Sequence, residues 1–148
     1  MSAPSSDRGD LAAGAVVTHP VTLTPDLVSD LVARGGYTHP LFDVATHGEE
    51  TPLPGQGVLL LAGGLVEQCG ILDDAVAMLE LKSVRFARMV RAGDDLRVRV
   101  VPGPWRVTSK GTFVQEFAWT VLTGAGAAAE AVAYADVVML MNQYVEGA

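Results

Sequence analysis

The chain has a single cysteine, Cys69, among its 148 residues. One thiol cannot close an internal disulfide or build a cysteine-rich zinc site, and a reducing, cytoplasmic setting is expected. Basic charge is also scarce. Lys and Arg number 10 against 17 Asp and Glu, for a net charge of −7, and no basic block occurs. That argues against a nucleic-acid binder and against a protein held on an anionic membrane surface. The longest apolar stretch, near residues 58–66, contains two glycines and falls far short of a membrane span. The opening MSAPSSDRGDLAAG lacks a basic start followed by an apolar core. A frayed tail over residues 1–14 is therefore expected, not a signal peptide. There is no H-x-x-E-H or similar metal spacing, no phosphate loop, no dinucleotide glycine pattern and no internal repeat. No metal or cofactor is expected.

What is present is a core. Hydrophobic residues make up 49% of the chain and charged ones 18%, enough for one domain over 15–148 with apolar surface left for a subunit contact. AVVTHPVTL (15–23) reads as a first strand, with Pro20 at an edge or a bulge. TPDLVSDLVARGG reads as a short helix: Thr24 caps it, Pro25 suits its first position and Gly35 or Gly36 ends it. Pro40, Pro52 and Pro54 break the next segment. GVLLLAGGLVEQCGIL (57–72) is apolar nearly all round, as a buried helix is. Gly63 and Gly64 each cost such a helix about 1 kcal/mol, and close approach of another backbone is the expected benefit.

The rest reads as strands. VAMLELKSVRFARMV (76–90) is one, bent or bulged near Lys82–Ser83. A second follows RAGDD, with Leu96, Val98 and Val100 alternating against Arg97 and Arg99. In FVQEFAW, Phe113, Gln115, Phe117 and Trp119 share a face. GAGAAAEA reads as a hairpin turn into a last strand, AAAEAVAYADVVMLM, although its alanines also allow a helix. An α+β fold satisfies this order, with a curved antiparallel sheet wrapped around the long helix on all its sides.

Three segments in consistent order over residues 35–101 carry a resemblance. LELKSVRFARMVRAGDDLRVRVVPG resembles the strand–turn–strand of hot-dog dehydratases. PGQGVLLLAGGLVEQCG resembles their proline–glycine entry and buried helix. THPLFD resembles the N-P-L-H-x-D region of the MaoC-like (R)-specific enoyl-CoA hydratases. The resemblance implies a hot-dog fold, a homodimer or dimer-based assembly, and an acyl thioester of coenzyme A or of an acyl carrier protein as substrate. It also implies an Asp and a His in a D-x-N-P-L-H pattern. Laid on YTHPLF, those positions hold Tyr37 and Phe42, with His39 at the Asn. In the related carrier-protein dehydratases a His precedes the proline–glycine, near His47 here. Their helix acid falls on Gly63, and Glu67 stands one turn further on.

Hydration or dehydration of such a thioester needs a base, an acid and N–H donors for the thioester oxygen. Gly57, with Gly55, is the expected donor, at a helix start whose dipole favours negative charge. The expected proton-transfer groups are three. His39 has an ordinary pKa near neutrality. Glu67 is a carboxylate on an apolar helix and so needs a partner or a cavity. Tyr37 can donate a proton or orient the thioester. Phe42 and His47 are expected around the substrate; His47 could equally be a solvated loop residue, and His39 a turn cap. Cys69 and His19 read as structural. Arg85, Arg88 and Arg91 could meet coenzyme A phosphates or form a solvated strand edge. The expected function is a dehydratase or hydratase interconverting 3-hydroxyacyl and enoyl thioesters. The alternatives are a hot-dog thioesterase, favoured by Glu67, and a non-catalytic acyl-binding or scaffold subunit.

Overall fold

The computed structural model describes residues 14–147, so the expected tail lies almost wholly outside the described residues. The expected first strand is two short ones, β1 (Val16–Val17) and β2 (Val21–Thr22), split at His19–Pro20. Thr18 bridges the split: its N–H donates to the Val98 carbonyl at 2.9 Å and its Oγ1 accepts from the Val98 N–H at 3.0 Å.

Helix α1 (Pro25–Gly35) starts and stops as its sequence dictates. Thr24 Oγ1 accepts from the Leu27 N–H at 3.1 Å. Gly36 takes φ +76°, a left-handed cap that a side chain would resist, and the Tyr37 N–H returns to the Val32 carbonyl at 3.1 Å. Next come a 3₁₀ turn (Pro40–Phe42), a single helical turn α2 (Val44–His47) and a second 3₁₀ turn (Gly48–Glu50). β3 (Pro52–Leu53) leads into α3 (Gly55–Gln68). The strands that follow are β4 (Ala75–Phe86), β5 (Val90–Arg91), β6 (Asp95–Val107), β7 (Phe113–Thr123) and β8 (Glu130–Met141).

The main sheet is antiparallel in the order β1-β6-β7-β8-β4, with β2 also on β6. β3 and β5 form a small second sheet that the sequence did not announce. Alternation works as read: Leu96, Val98 and Val100 face inward with Gln115, Phe117 and Trp119, and Arg97 and Arg99 take the other face. Val58, Ala62, Leu65 and Val66 of α3 pack onto that inner face and close the core.

Two expectations need correction. The sheet of one chain does not enclose α3: Leu60, on the side away from the strands, is 65% exposed. Within the chain no backbone approaches Gly63 or Gly64 closely either. A Cβ on Gly63 would meet only the Trp119 ring, at 3.9 Å, and one on Gly64 would meet nothing within 4 Å. Among the described residues no helix is long and apolar enough to cross a membrane.

Candidate active site

Tyr37 is aimed by the end of α1. The left-handed Gly36 turns the chain, and Gly35 leaves room for the phenol, since a Cβ there would stand 2.7 Å from Tyr37 Cε2. The Tyr37 hydroxyl donates to Gln56 Oε1 at 3.2 Å, and the Tyr37 ring meets Phe42 edge to face. The positions matched to an Asp and a His are thus adjacent in space, but as an aromatic pair.

The start of α3 lies beside this pair. Pro54 has no capping side chain. Its carbonyl accepts from the Gly57 N–H at 2.8 Å and the Val58 N–H at 3.1 Å. The Gly57 amide is therefore engaged, and the donors without an acceptor among the described residues are those of Gly55 and Gln56. This moves the expected oxyanion donor from Gly57 to Gly55 and its neighbour. Gly57 keeps a steric role, because its Cβ would crowd Leu53 at 3.0 Å. Gly55 must be small for a related reason: its Cβ would sit 2.8 Å from the Phe86 ring.

Two cavities flank this helix start. One, of about 440 Å³, is walled by Phe42, Leu53, Val58, Phe86, Met89 and Val90, with Gly55 and Gln56 at its edge. The other, of about 340 Å³, includes Arg34, Tyr37, Gln56 and Gly57. Gln56 borders both and holds the Tyr37 hydroxyl. The sequence reading passed over it, although its place between the two glycines of PGQG was the available signal.

The histidines stand apart. His39 is exposed, and its Nδ1 accepts from the Leu41 N–H at 3.0 Å, which places a neutral ring's proton on Nε2. His47 is exposed too, with Nε2 3.1 Å from the Pro40 carbonyl. Asp43 ties the same loop together. It caps α2 through the Ala45 N–H at 3.0 Å, and the Thr46 hydroxyl at 2.6 Å leads in holding its carboxyl below the usual aspartate range. Neither histidine lines the two cavities at the helix start.

Glu67 lies elsewhere in the chain, at a third cavity of about 480 Å³ with Gly63, Asp73, Met78, Trp119 and Met139. The Trp119 indole N–H is buried there without an acceptor among the described residues. The arginines are largely committed. Arg88 reaches Asp94 and Glu130, both at 3.3 Å, and Arg91 reaches Glu50. Arg85 lies over the Tyr134 ring at 4.9 Å. Among the described residues no group of His, Cys, Asp and Glu gathers as a metal-holding cluster.

No family model and no curated protein matches the chain. Solved structures match it closely in shape. A monoamine oxidase regulatory protein from Archaeoglobus aligns with a TM-score of 0.73 and 20% identity, over 86% of this chain and 87% of that one. A conserved Mycobacterium tuberculosis protein with a double hotdog fold aligns with a TM-score of 0.71 and 14% identity, over 86% of this chain but 39% of that one. A putative MaoC domain dehydratase from Chloroflexus aurantiacus aligns with a TM-score of 0.74 and 20% identity, over 87% and 38%. The chain thus spans about two fifths of the length of the last two. The fold is the hot-dog fold, as its residues suggested.

Proposed function

We propose that the protein is an acyl-thioester enzyme of MaoC-like hydratase or dehydratase type, interconverting 3-hydroxyacyl and enoyl thioesters of coenzyme A or an acyl carrier protein. A cytoplasmic homodimer belongs to the same reading. One observation carries it: the amides of Gly55 and Gln56 stand without acceptors beside a tyrosine hydroxyl and between two cavities. The amides and the dipole behind them suit a thioester oxygen that gains charge as the α-carbon is deprotonated or as water adds at C3. The larger cavity, walled by Phe42, Leu53 and Phe86, suits the acyl group, and the smaller one beside Arg34 and Tyr37 the pantetheine arm. Tyr37 moves a proton at the α-carbon, oriented by Gln56. Glu67 and His39 are the groups proposed for the second proton, and Phe42 forms part of the acyl wall.

The Tyr37–Phe42 contact favours a second reading, a non-catalytic acyl-binding subunit, because it leaves no carboxylate–imidazole pair at the helix start. Crotonyl-CoA and 3-hydroxybutyryl-CoA separate the readings, followed by enoyl absorbance, with a panel of acyl-CoAs and a thiol reagent alongside. Change of enoyl absorbance supports the hydratase or dehydratase. Thiol release would instead make it a thioesterase. Saturable binding of a non-hydrolysable acyl-CoA without turnover leaves the binding subunit, and neither binding nor turnover sinks all three.

A further inference from the structure

Two arginines line the cavities at the start of α3, and they differ in what holds them. Arg88, at the larger cavity, is committed to Asp94 and Glu130. Arg34, at the smaller one, lies with Leu31, Tyr37, Gln56 and Gly57. It stands in the last turn of α1, is exposed, and forms no ion pair among the described residues. The negative end of the α1 dipole favours a cation at this position.

The surface around that cation has the opposite sign. Between Thr24 and Gly57, the stretch that supplies α1, the loop and the start of α3, Arg34 is the only Lys or Arg, against Asp26, Asp30, Asp43, Glu49 and Glu50. All five of those carboxylate residues are exposed, and only Glu50 has a cation, Arg91, within reach. Asp30 adjoins Leu31, a wall of the smaller cavity, and Asp43 adjoins Phe42, a wall of the larger. The two kinds of thioester carrier meet such a surface differently. An acyl carrier protein is itself acidic, and a protein interface covers about 800 Å² on each partner. Docking would lay like charge on like charge, which suppresses association. Coenzyme A is narrow: its pantetheine arm enters the cavity and only its phosphates meet the rim. At physiological salt charges are screened over about 8 Å, so a phosphate at Arg34 feels chiefly that guanidinium.

We propose that the substrate is a thioester of coenzyme A and not of a carrier protein, and that Arg34 selects it by gripping the phosphate end of the pantetheine arm, a proposal that rests on the thioester reading of the helix start. A guanidinium presents paired N–H donors that match two phosphate oxygens at once. The contact is the same before and after the double bond is hydrated, so it contributes to binding and not to the chemical step. Arg34 is thus a specificity residue that touches the carrier and no reacting atom.

The test places one crotonyl group on three carriers: coenzyme A, an acyl carrier protein, and N-acetylcysteamine, which has the thioester and one amide but no phosphate. For the wild-type protein, kcat/KM on the coenzyme A thioester should exceed that on the carrier-protein thioester at least about tenfold. Arg34→Gln should raise KM for the coenzyme A thioester about tenfold with kcat little changed, the worth of a charge-assisted contact. That loss should be confined to the coenzyme A thioester. Equal or better turnover of the carrier-protein thioester overturns the choice of carrier. An Arg34→Gln loss that is absent on coenzyme A, or equal on N-acetylcysteamine, removes Arg34 from its recognition. Calorimetry with a non-hydrolysable crotonyl-CoA analogue reads the same contact without turnover. Binding that weakens about tenfold in Arg34→Gln, with no turnover of any thioester, would keep the contact and sink the hydratase reading. Turnover that does not depend on Arg34 does the reverse, and neither binding nor turnover sinks both.

Discussion

The rings of Tyr37 and Phe42 meet edge to face, with centroids 5.3 Å apart and planes at 71°. This contact fixes the phenol so that its hydroxyl reaches Gln56, and it keeps solvent from one side of the ring. Tyr37→Phe preserves the contact and removes only the hydroxyl. It should lower kcat/KM on an enoyl thioester by about 10²–10⁴-fold, the usual worth of a positioned proton-transfer group. The melt should shift by no more than the loss of one exposed hydrogen bond, about 1 kcal/mol. Wild-type turnover by the Tyr37→Phe protein would remove Tyr37 from the mechanism.

How far the site was legible depended on whether a residue's role is local. The caps of α1 were readable because Thr24, Pro25 and Gly36 act within a turn of themselves. The bend at Lys82–Ser83 and the shared face of Phe113, Gln115, Phe117 and Trp119 were readable from period and composition. The roles that escaped depend on partners set by tertiary structure. Gly57 looked like a donor, but the Pro54 carbonyl takes its N–H. His39 looked like a base, yet one of its nitrogens serves the Leu41 amide. Glu67 and Tyr37 looked like one cluster, and the rise of α3 separates them within a chain. β3 and β5, two residues each, are too short to show any period.

Gly55 and Phe86 should be coupled. A methyl at Gly55 meets the Phe86 ring at 2.8 Å, so Gly55→Ala should destabilise by about 1–3 kcal/mol, the cost of overpacking. Phe86→Leu shortens the side chain and should recover part of that loss in the double variant. Denaturant melts of the two single variants and the double form the cycle. Strict additivity would mean that the ring moves aside at no cost and does not hold the helix start.

Asp94 anchors the turn into β6. Its carboxylate accepts from Arg88 Nη1 and Nη2, both at 3.3 Å, and from the Arg91 N–H at 2.9 Å. Burial pushes its pKa up, but the Arg88 guanidinium, the Arg91 amide and the two positive charges together hold it below the ordinary value. A lowered folded pKa means that this stabilisation is complete above about pH 4, where the unfolded carboxyl ionises. It fades as pH falls through the folded value. Asp94→Asn should therefore cost about 1–3 kcal/mol at pH 7, and the gap from wild type should narrow in urea melts at pH 3. A gap of the same size at both pH values would assign the effect to packing.

Ser83 is the one residue other than glycine with positive φ among the described residues, at +54°. It sits in the register shift between Lys82 and Arg85, where β4 turns its outer face. A left-handed residue with a Cβ costs about 1–2 kcal/mol, and glycine avoids that cost while losing about 0.4–1 kcal/mol through its freer unfolded chain. Ser83→Gly should therefore stabilise by about 0.5–1 kcal/mol, and Ser83→Val should destabilise, because a β-branched side chain tolerates this conformation least. Urea melts at one fixed protein concentration compare the three proteins without an association term. If the valine protein were as stable as wild type, the backbone at Ser83 would relax to an extended conformation at no cost.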